Sequence, residues 1–344
     1  MSDLSERQKL VLALIVRDYI EDAKPVSSQK LVDDYNLDFS SATIRNEMVA
    51  LSEMGYLRQP HTSAGRVPTD DGLRYFVGEL MGQHDLPLPT QDMITHQFYQ
   101  AGHDVEQWMR LAASVLAKQS RAAALVTAPH PAQARFKHLE LIGTRGRQVL
   151  MVLILVGGEV RQQMLVLAEP VSQERLSAAA TRVNGSCQGL DAAAIAALSL
   201  GLDALEQDVL KLVQDEMRRS SEVLGGEVYR DGLTNVLAEP EFAEVKTARG
   251  ALRILEERPL LEDLITRTMA TTKIGGVQVL IGGEGQWEEL RECTVVMARY
   301  GVPDLVTGTL GVLGPLRMSY GRTISAVRFV AGVLSELVLD SYGE

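Results

Sequence analysis

Cysteine is scarce in this 344-residue chain, which contains only Cys187 and Cys293. The two lie far apart and form no C-x-x-C pair, so the sequence offers neither a disulfide framework nor a cysteine-based zinc site. The six histidines show no metal-binding spacing either. These absences exclude a disulfide-stapled scaffold and favour a reducing compartment, and we predict neither a metal nor a cofactor.

Long hydrophobic runs are also missing. The longest stretches, such as residues 149–156, fall far short of the ~20 apolar residues that span a bilayer. The N-terminus places acidic residues before its apolar stretch and lacks a small-residue cleavage site, so it is a poor signal peptide. The sequence therefore predicts a cytoplasmic protein with no membrane partner.

Positive charge is in deficit, because 34 Lys and Arg residues stand against 45 Asp and Glu residues, a net charge of −11. Such a chain does not coat nucleic acid through bulk charge, so any DNA contact must be local. The hydrophobic fraction of 46% and the charged fraction of 23% are ordinary globular values. With this length they predict two or three packed domains.

The first 80 residues predict three short helices around a small core. Ser5 and Gln8 form a capping box for the first helix, and Ser40 caps the third. In the third helix, apolar residues at helical spacing face inward, namely Ile44, Met48 and Leu51. The outer face then consists of Ala42, Thr43, Arg45, Asn46 and Val49.

That outer face suits the reading of DNA bases. Its small residues allow close approach to a groove, Arg45 can pair with guanine, and Asn46 can pair with adenine. An ordinary solvated helix face is the alternative interpretation.

Residues 56–59 and 66–68 predict two strands around a turn-rich tip at 60–65, so a hairpin follows the three helices, as in a winged helix. Side chains near the tip can donate to phosphate oxygens, although a plain polar loop has the same composition. The candidate DNA-binding residues are Ser40, Ser41, Ala42, Thr43, Arg45, Asn46, His61, Thr62, Ser63 and Arg66.

The remaining chain predicts strands, then helices, then strands again. The strand-like runs are 136–142, 148–156, 160–167, 276–282, 293–300 and 307–313, and helical composition fills residues 172–269. Because three strands alone make a marginal core, we expect one α+β domain whose sheet is split in sequence by a helical insertion. Two separate small sheets are the alternative.

The insertion also holds the candidate dimer contact. Leu202, Leu205, Val209 and Leu212 repeat at helical spacing and form an apolar stripe. Packing against the insertion's own helix near residues 251–265 is the alternative. Specific DNA binding has affinities of ~10⁻⁸ M or better, and we expect a dimer because two small, non-basic DNA-binding domains held together reach that affinity more readily than one.

No motif for catalysis is present, so we do not expect an enzyme. The Gly-Gly-Glu-Gly run at 282–285 lacks the spacing of a phosphate-binding loop and predicts a turn. The strands at 149–155 and 277–281 could cover a small-molecule pocket, but their Val, Leu and Ile content favours a filled core.

Two long motifs resemble the signature of the HrcA heat-inducible transcription repressors. They are Phe-Ser-Ser-Ala-Thr-Ile-Arg-Asn-Glu-Met at 39–48 and Pro-His-Thr-Ser-Ala-Gly-Arg-Val-Pro-Thr-Asp at 60–70. The resemblance extends to residues 235–242 and 308–315 and so covers essentially the whole chain.

The resemblance implies a multidomain α+β protein. It implies a winged helix-turn-helix DNA-binding domain at 1–80, a linker at 81–104, and a GAF-like domain in two parts at 105–171 and 274–344. A helical dimerising domain would be inserted at 172–273. The resemblance also implies a homodimer that represses GroE- and DnaK-type chaperone operons through an inverted-repeat operator, is released on heat stress, and has the chaperonin GroEL as a partner. A winged-helix regulator whose GAF-like domain senses a small ligand is the alternative.

Overall fold

A computed structural model of the chain describes residues 4–61, 64–82, 85–131, 134–198, 201–221, 227–303 and 305–342. The chain is a mixed α+β protein that divides into two compact units. The first unit draws on residues 1–126, 229–299 and 310–333, and the second on 127–228, 300–309 and 334–344. No helix in these described ranges has the length and apolar character needed to cross a membrane.

The α-helices and β-strands are numbered in chain order. The helices are α1 (Glu6–Asp22), α2 (Ser28–Tyr35), α3 (Ser41–Glu53), α4 (Asp70–Tyr75), α5 (Leu88–Gln100), α6 (Val105–Ser120), α7 (Gln173–Cys187), α8 (Ala192–Ala196), α9 (Ala204–Ser221), α10 (Leu233–Ala238), α11 (Val245–Glu256), α12 (Arg258–Met269) and α13 (Tyr320–Tyr342). The strands are β1 (Leu57–Arg58), β2 (Val67–Pro68), β3 (Ala123–Thr127), β4 (His130–Pro131), β5 (Phe136–Arg145), β6 (Gln148–Leu155), β7 (Val160–Val166), β8 (Val228–Asp231), β9 (Val277–Ile281), β10 (Cys293–Val302) and β11 (Val306–Pro315). A π-helix follows α4 at Phe76–Leu80, and single 3₁₀ turns lie at Pro240–Phe242, Gly282–Gly285 and Glu288–Leu290.

Residues 4–80, called here the N-terminal domain, hold α1 to α4 and the β1–β2 hairpin. The predicted capping box is confirmed, because the Ser5 hydroxyl accepts from the Gln8 amide and the Gln8 side chain accepts from the Ser5 amide. Side chains from the first three helices meet in a fully buried core, among them Leu12, Ile15, Leu31, Ile44 and Leu51. The predicted three-helix core is therefore confirmed.

The predicted linker at 81–104 contains the 13-residue helix α5. Pro89 lies in the first turn of α5, where proline is tolerated because the first backbone amides of a helix have no intrahelical acceptor. Ile94 and Phe98 are buried and anchor one face of the helix. The predicted linker therefore contains a regular helix that begins at its prolines.

The larger sheet has six strands, in the order β8–β3–β11–β10–β9 with β4 also paired to β11. Strand β10 runs antiparallel to β9, and β11 runs antiparallel to β3. All ten residues of β11 are buried, so both faces of this strand are covered. A strand buried on both faces does not alternate between apolar and charged residues, and β11 accordingly contains no charged residue.

The smaller sheet consists of β5, β6 and β7 in antiparallel order and lies in the second unit. Residues 134–217 form its hydrophobic core, in which Met151 and Leu153 of β6 pack with Val183 of α7 and Val213 of α9. The expectation of a single sheet split by an insertion is therefore wrong. The physical reason is that α7 and α9 cover one face of the three strands, so this sheet needs no further strands to bury a core.

Candidate nucleic-acid interface

Helix α3 separates its residues into a buried side and an exposed side as the sequence predicted. The buried residues are Ile44, Met48 and Leu51, and the exposed residues are Ala42, Arg45, Asn46 and Val49. We call this exposed set the α3 face. Thr43 departs from the expected pattern because it is half-buried. The inward and outward assignment of the other residues is confirmed.

The start of α3 is fixed by the hydroxyl groups of two candidate residues. The Ser40 hydroxyl accepts a 3.1 Å hydrogen bond from the Thr43 amide and lies 2.9 Å from the Thr43 hydroxyl. Ser41 is the first helical residue and is half-buried. Ser40 and Thr43 therefore shape the helix start, and Arg45 and Asn46 are the longer exposed polar groups beyond it.

A residue that sequence analysis missed adjusts the charge of α3. Arg7 of α1 donates to the Glu47 carboxylate of α3 at 3.3 Å, and its guanidinium lies 4.8 Å from the centre of the Phe39 ring. This pairing offsets a negative charge on the helix that carries the α3 face. Arg7 and Glu47 are 40 residues apart, so no local pattern in the sequence indicates it.

A charge network fixes α2 against α1. The Lys30 ammonium contacts the carboxylates of Asp18 at 2.6 Å, Asp22 at 3.1 Å and Asp34 at 3.5 Å. The Tyr35 hydroxyl donates to the buried Asp18 carboxylate at 2.6 Å. Hydrogen bonding to Asp18 raises the pKa of Lys30, and burial together with Asp18 raises the pKa of Tyr35 to about 12. Both shifts favour the protonated forms, which are the forms that hydrogen-bond to Asp18.

The hairpin after α3 pairs Leu57 with Pro68 and Arg58 with Val67. A third segment joins it, because Val26 and Arg66 exchange two backbone hydrogen bonds of 2.8 Å. A Cβ atom on Gly65 would lie 2.2 Å from the Val26 carbonyl oxygen, so only glycine permits this approach. The hairpin is therefore tied to the segment between α1 and α2.

The predicted phosphate contacts lie around the tip of this hairpin. His61 is exposed, and Thr62 and Ser63 lie outside the described residues. Arg66 is half-buried, and its Nε has no hydrogen-bond partner within the described part of the chain.

The predicted dimer stripe lies inside the chain. Val209 is 1% exposed in the core of the second unit, and Leu202, Leu205 and Leu212 pack against that core. The prediction of an uncovered stripe is therefore wrong. Neighbouring elements α7 and β5 to β7 supply the cover, a pairing that helical spacing alone does not indicate.

The outer side of the smaller sheet, in the second unit, exposes several large apolar side chains. Its large exposed residues are Ile142, Val160, Met164 and Val166, which we call the sheet face. Leu150 of β6 pairs with both Ile142 and Met164, so an apolar row crosses all three strands. Contiguous exposed apolar patches of this kind mark interaction sites in soluble proteins.

Other candidate chemistry finds little support in the described residues. The strands at 149–155 and 277–281, considered as two walls of a ligand pocket, belong to different sheets. No group of three His, Cys, Asp or Glu residues within the described ranges could hold a metal ion. Both cysteines are buried, and burial raises the pKa of the Cys187 thiol and raises that of Cys293 to about 12. Neither thiol is therefore a ready nucleophile.

Comparison with known proteins gives consistent matches. Residues 106–324 match the family model described as the HrcA protein C-terminal domain. Heat-inducible transcription repressor HrcA from Roseiflexus castenholzii is 45% identical over 99% of this chain and 96% of its own length. The protein of the same name from Herpetosiphon aurantiacus is also 45% identical, over 99% of this chain and 97% of its own. A crystal structure described as that of a hypothetical protein at 2.2 Å resolution aligns with a TM-score of 0.62 and 25% identity, covering 98% of this chain and 100% of that one.

Proposed function

Because this chain belongs to the HrcA family of heat-inducible transcription repressors, we propose that its N-terminal domain is a winged helix whose α3 reads DNA bases. Repression of heat-shock transcription is the function of the family to which it belongs. The proposal adds which residues carry that function in this protein. A DNA-bound repressor acts where the chromosome is, so we place the protein in the cytoplasm.

The α3 face is the observation that carries the proposal. It offers Arg45 for guanine, Asn46 for adenine, and the small side chain of Ala42 for close approach. The exposed Val49 adds an apolar group suited to a thymine methyl. The start of α3, at Ser40 and Ser41, is a helix N-terminus, which attracts a phosphate, and Thr43 stabilises that start through its bonds to Ser40.

The hairpin tip supplies the contacts that do not depend on base sequence. His61, Thr62, Ser63 and Arg66 are donors suited to phosphate oxygens, which position a protein on the duplex. Three arginines, at 45, 58 and 66, outnumber two glutamates between Ser40 and Pro68. Since Arg7 pairs with one of those glutamates, Glu47, the surface is locally favourable to DNA within an acidic chain.

We assign the homodimer contact to the sheet face. An inverted-repeat operator, as the family resemblance implies, calls for a two-fold dimer, whose interface is one surface that is complementary to itself. The sheet face meets that need with an apolar row across three antiparallel strands. The occupant we propose is therefore a second copy of this chain.

The two separate sheets lead us to propose domain boundaries that differ from those expected from the sequence. We propose that the inserted dimerising domain runs from about residue 134 to about residue 221, because its core is built from residues 134–217. The GAF-like domain then comprises α6, the larger sheet and α13. The chaperonin GroEL remains a proposed partner carried over from the family resemblance, and co-purification with GroEL checks it.

Footprinting on genomic DNA tests the function directly. We expect the protein to protect an inverted repeat upstream of chaperone genes, with two equivalent half-sites. Arg45→Ala should raise the protein concentration needed for half-maximal protection by about fivefold to a hundredfold, as expected for a base contact. Protection without two-fold symmetry, or an unchanged half-maximal concentration in Arg45→Ala, would contradict the proposed reading by α3.

A further inference from the structure

Arg74 joins the N-terminal domain to β9 within the first unit. Its Nη2 donates to the Ile281 carbonyl at 2.7 Å, and its Nε donates to the Glu284 carboxylate at 3.1 Å. Its Nη1 donates to Asp71 of the same helix at 2.7 Å. The guanidinium is therefore held at all three nitrogens, two of them by residues more than 200 positions away.

Glu284 lies in an unusual turn that fixes its carboxylate. The turn follows β9 in the connection to its antiparallel neighbour β10, and Gly282, Gly283 and Gly285 all have left-handed backbones. Glu284 shares that conformation with a φ of 49°, which strains a residue with a side chain. Its Oε1 also accepts from the Ile281 amide at 3.1 Å. The Gly-Gly-Glu-Gly turn thus presents one carboxylate to Arg74.

The other end of α4 is fastened to the end of α3. Thr69, which caps α4, donates its hydroxyl to the Gly55 carbonyl at 2.6 Å and its amide to the Tyr56 carbonyl at 3.0 Å. The rings of Tyr56 and Tyr75 lie 5.2 Å apart. Because Gly55 and Tyr56 directly follow α3, the orientation of α3 is transmitted to α4 and then to Arg74.

Packing beside this contact is incomplete. A cleft of about 610 Å³ opens next to Arg74 and is lined by charged groups that include Arg58, Glu241, Arg291 and Glu292. An open cleft lined by charged groups does not hold two elements at a fixed angle as a close-packed apolar contact does. The directional hydrogen bonds of Arg74 therefore carry more of that task here.

We propose that Arg74 and Glu284 are positioning residues that fix the angle between α3 and the β9–β10 part of the first unit. We call this contact the Arg74 latch. In a dimer that reads an inverted repeat, which is the proposed function on which this inference rests, the latch sets the half-site spacing that the protein accepts. Two N-terminal domains held rigidly in a dimer gain affinity from simultaneous binding only when the spacing of the two half-sites matches the distance between the domains.

The first test uses Glu284→Gly, which removes the carboxylate and suits the left-handed backbone, so the turn still folds. Probes are the footprinted inverted repeat at native spacing, the same repeat with five base pairs inserted, and a single half-site. We expect Glu284→Gly to lower the affinity for the repeat at native spacing about tenfold and to leave the affinity for the single half-site unchanged. The ratio of affinities for the two spacings should therefore become smaller. Glu284→Gln keeps the Oε1 acceptor and should restore most of the preference.

Arg267→Gln is a control for the loss of an exposed ion pair elsewhere in the first unit, since it removes the pair with Asp263 inside α12. An equal loss on the half-site and the full repeat would overturn the proposal, and so would an unchanged spacing preference in Glu284→Gly. Either result would assign the latch to folding alone.

A second test needs no DNA. Spin labels at Leu10→Cys and Leu237→Cys, both exposed positions of the first unit, report the distance between α1 and α10. We expect Glu284→Gly to broaden that distance distribution, and Glu284→Gln and Arg267→Gln to leave it unchanged. An unbroadened distribution would overturn the latch. If the unaltered chain protects no inverted repeat, the proposed function fails and this measurement still decides the latch.

Discussion

The α3 face and the sheet face are both exposed, and they differ in nearly every side chain. The α3 face carries an arginine and an asparagine above a buried core, whereas the sheet face carries an apolar row on strands whose other side is buried. The first composition suits DNA, whose interfaces are polar and hydrated. The second suits an apolar protein surface, such as the same face of a second copy of this chain. The proposed function therefore assigns two opposite surface chemistries of one chain to two kinds of recognition, and each surface can be identified once the buried side of its element is known.

Reversing the chemistry of the sheet face should have the largest effect. Met164 is 52% exposed, so Met164→Glu should leave the fold intact and give a monomer in sedimentation. Operator affinity should fall by roughly 10²–10⁴, because the second half-site no longer binds intramolecularly.

The neighbouring Leu165, only 6% exposed on the opposite side of the same strand, is the matched control. Leu165→Glu should unfold the second unit, since it buries an unpaired charge, and circular dichroism on heating should show the difference. A Met164→Glu protein that remains dimeric would place the dimer contact elsewhere.

Removing the cation of the α3 face comes next. Arg45→Ala should cost about 1–3 kcal/mol against the operator and much less against random DNA, because a base contact carries sequence preference. Lys24→Ala removes a positive charge from an exposed loop of the same domain and should change neither value by a comparable amount. Equal losses on both DNAs would make Arg45 a phosphate contact.

Arg66 at the hairpin should behave differently from Arg45. Arg66→Ala should weaken binding to operator and to random DNA alike. The slope of log affinity against log salt concentration should become shallower by the amount that one phosphate contact contributes, about one. Arg66→Lys keeps the charge and should preserve the salt dependence. A salt slope in Arg66→Ala equal to that of the unaltered protein would remove Arg66 from the interface.

The smallest effect belongs to the ion pair behind the α3 face. Arg7→Ala leaves Glu47 unpaired, and we expect a loss of about 0.2–1 kcal/mol in operator binding, the range of exposed pairs. Adding Glu47→Gln should recover most of that loss, because the repulsive carboxylate is then neutral. Failure of the double variant to recover would assign Arg7 a direct DNA contact.

Local patterns in the sequence predicted the parts of this protein that depend on near neighbours. The spacing of Ile44, Met48 and Leu51 was sufficient to orient α3, because helical geometry then determines on which side of the helix each remaining residue lies. The capping box of α1 and the hairpin after Gly55 followed from residues three to ten positions apart. The candidate α3 face is therefore readable without a structure.

Features that depend on distant pairing could not be read in this way. Arg74 meets Glu284 across 210 positions, and Arg7 meets Glu47 across 40. The stripe at Leu202 and Val209 was correctly apolar, but helical spacing is the same whether the cover comes from a second chain or from a strand of the same chain. The single-sheet prediction failed for that reason, since the covering role of α7 is a tertiary property.

The two buried thiols make this protein a reporter of its own response to heat. Cys187 lies in the second unit and Cys293 in the first, and burial protects each from alkylation while its unit stays closed. A pulse of iodoacetamide at stepped temperatures, followed by mass measurement of the cysteine-containing peptides, would therefore give the temperature at which each unit opens. Earlier modification of Cys187 than of Cys293 would mean that heat opens the unit proposed to form the dimer while the unit proposed to read DNA is still folded. On the proposed function, derepression would then begin with separation of the two chains.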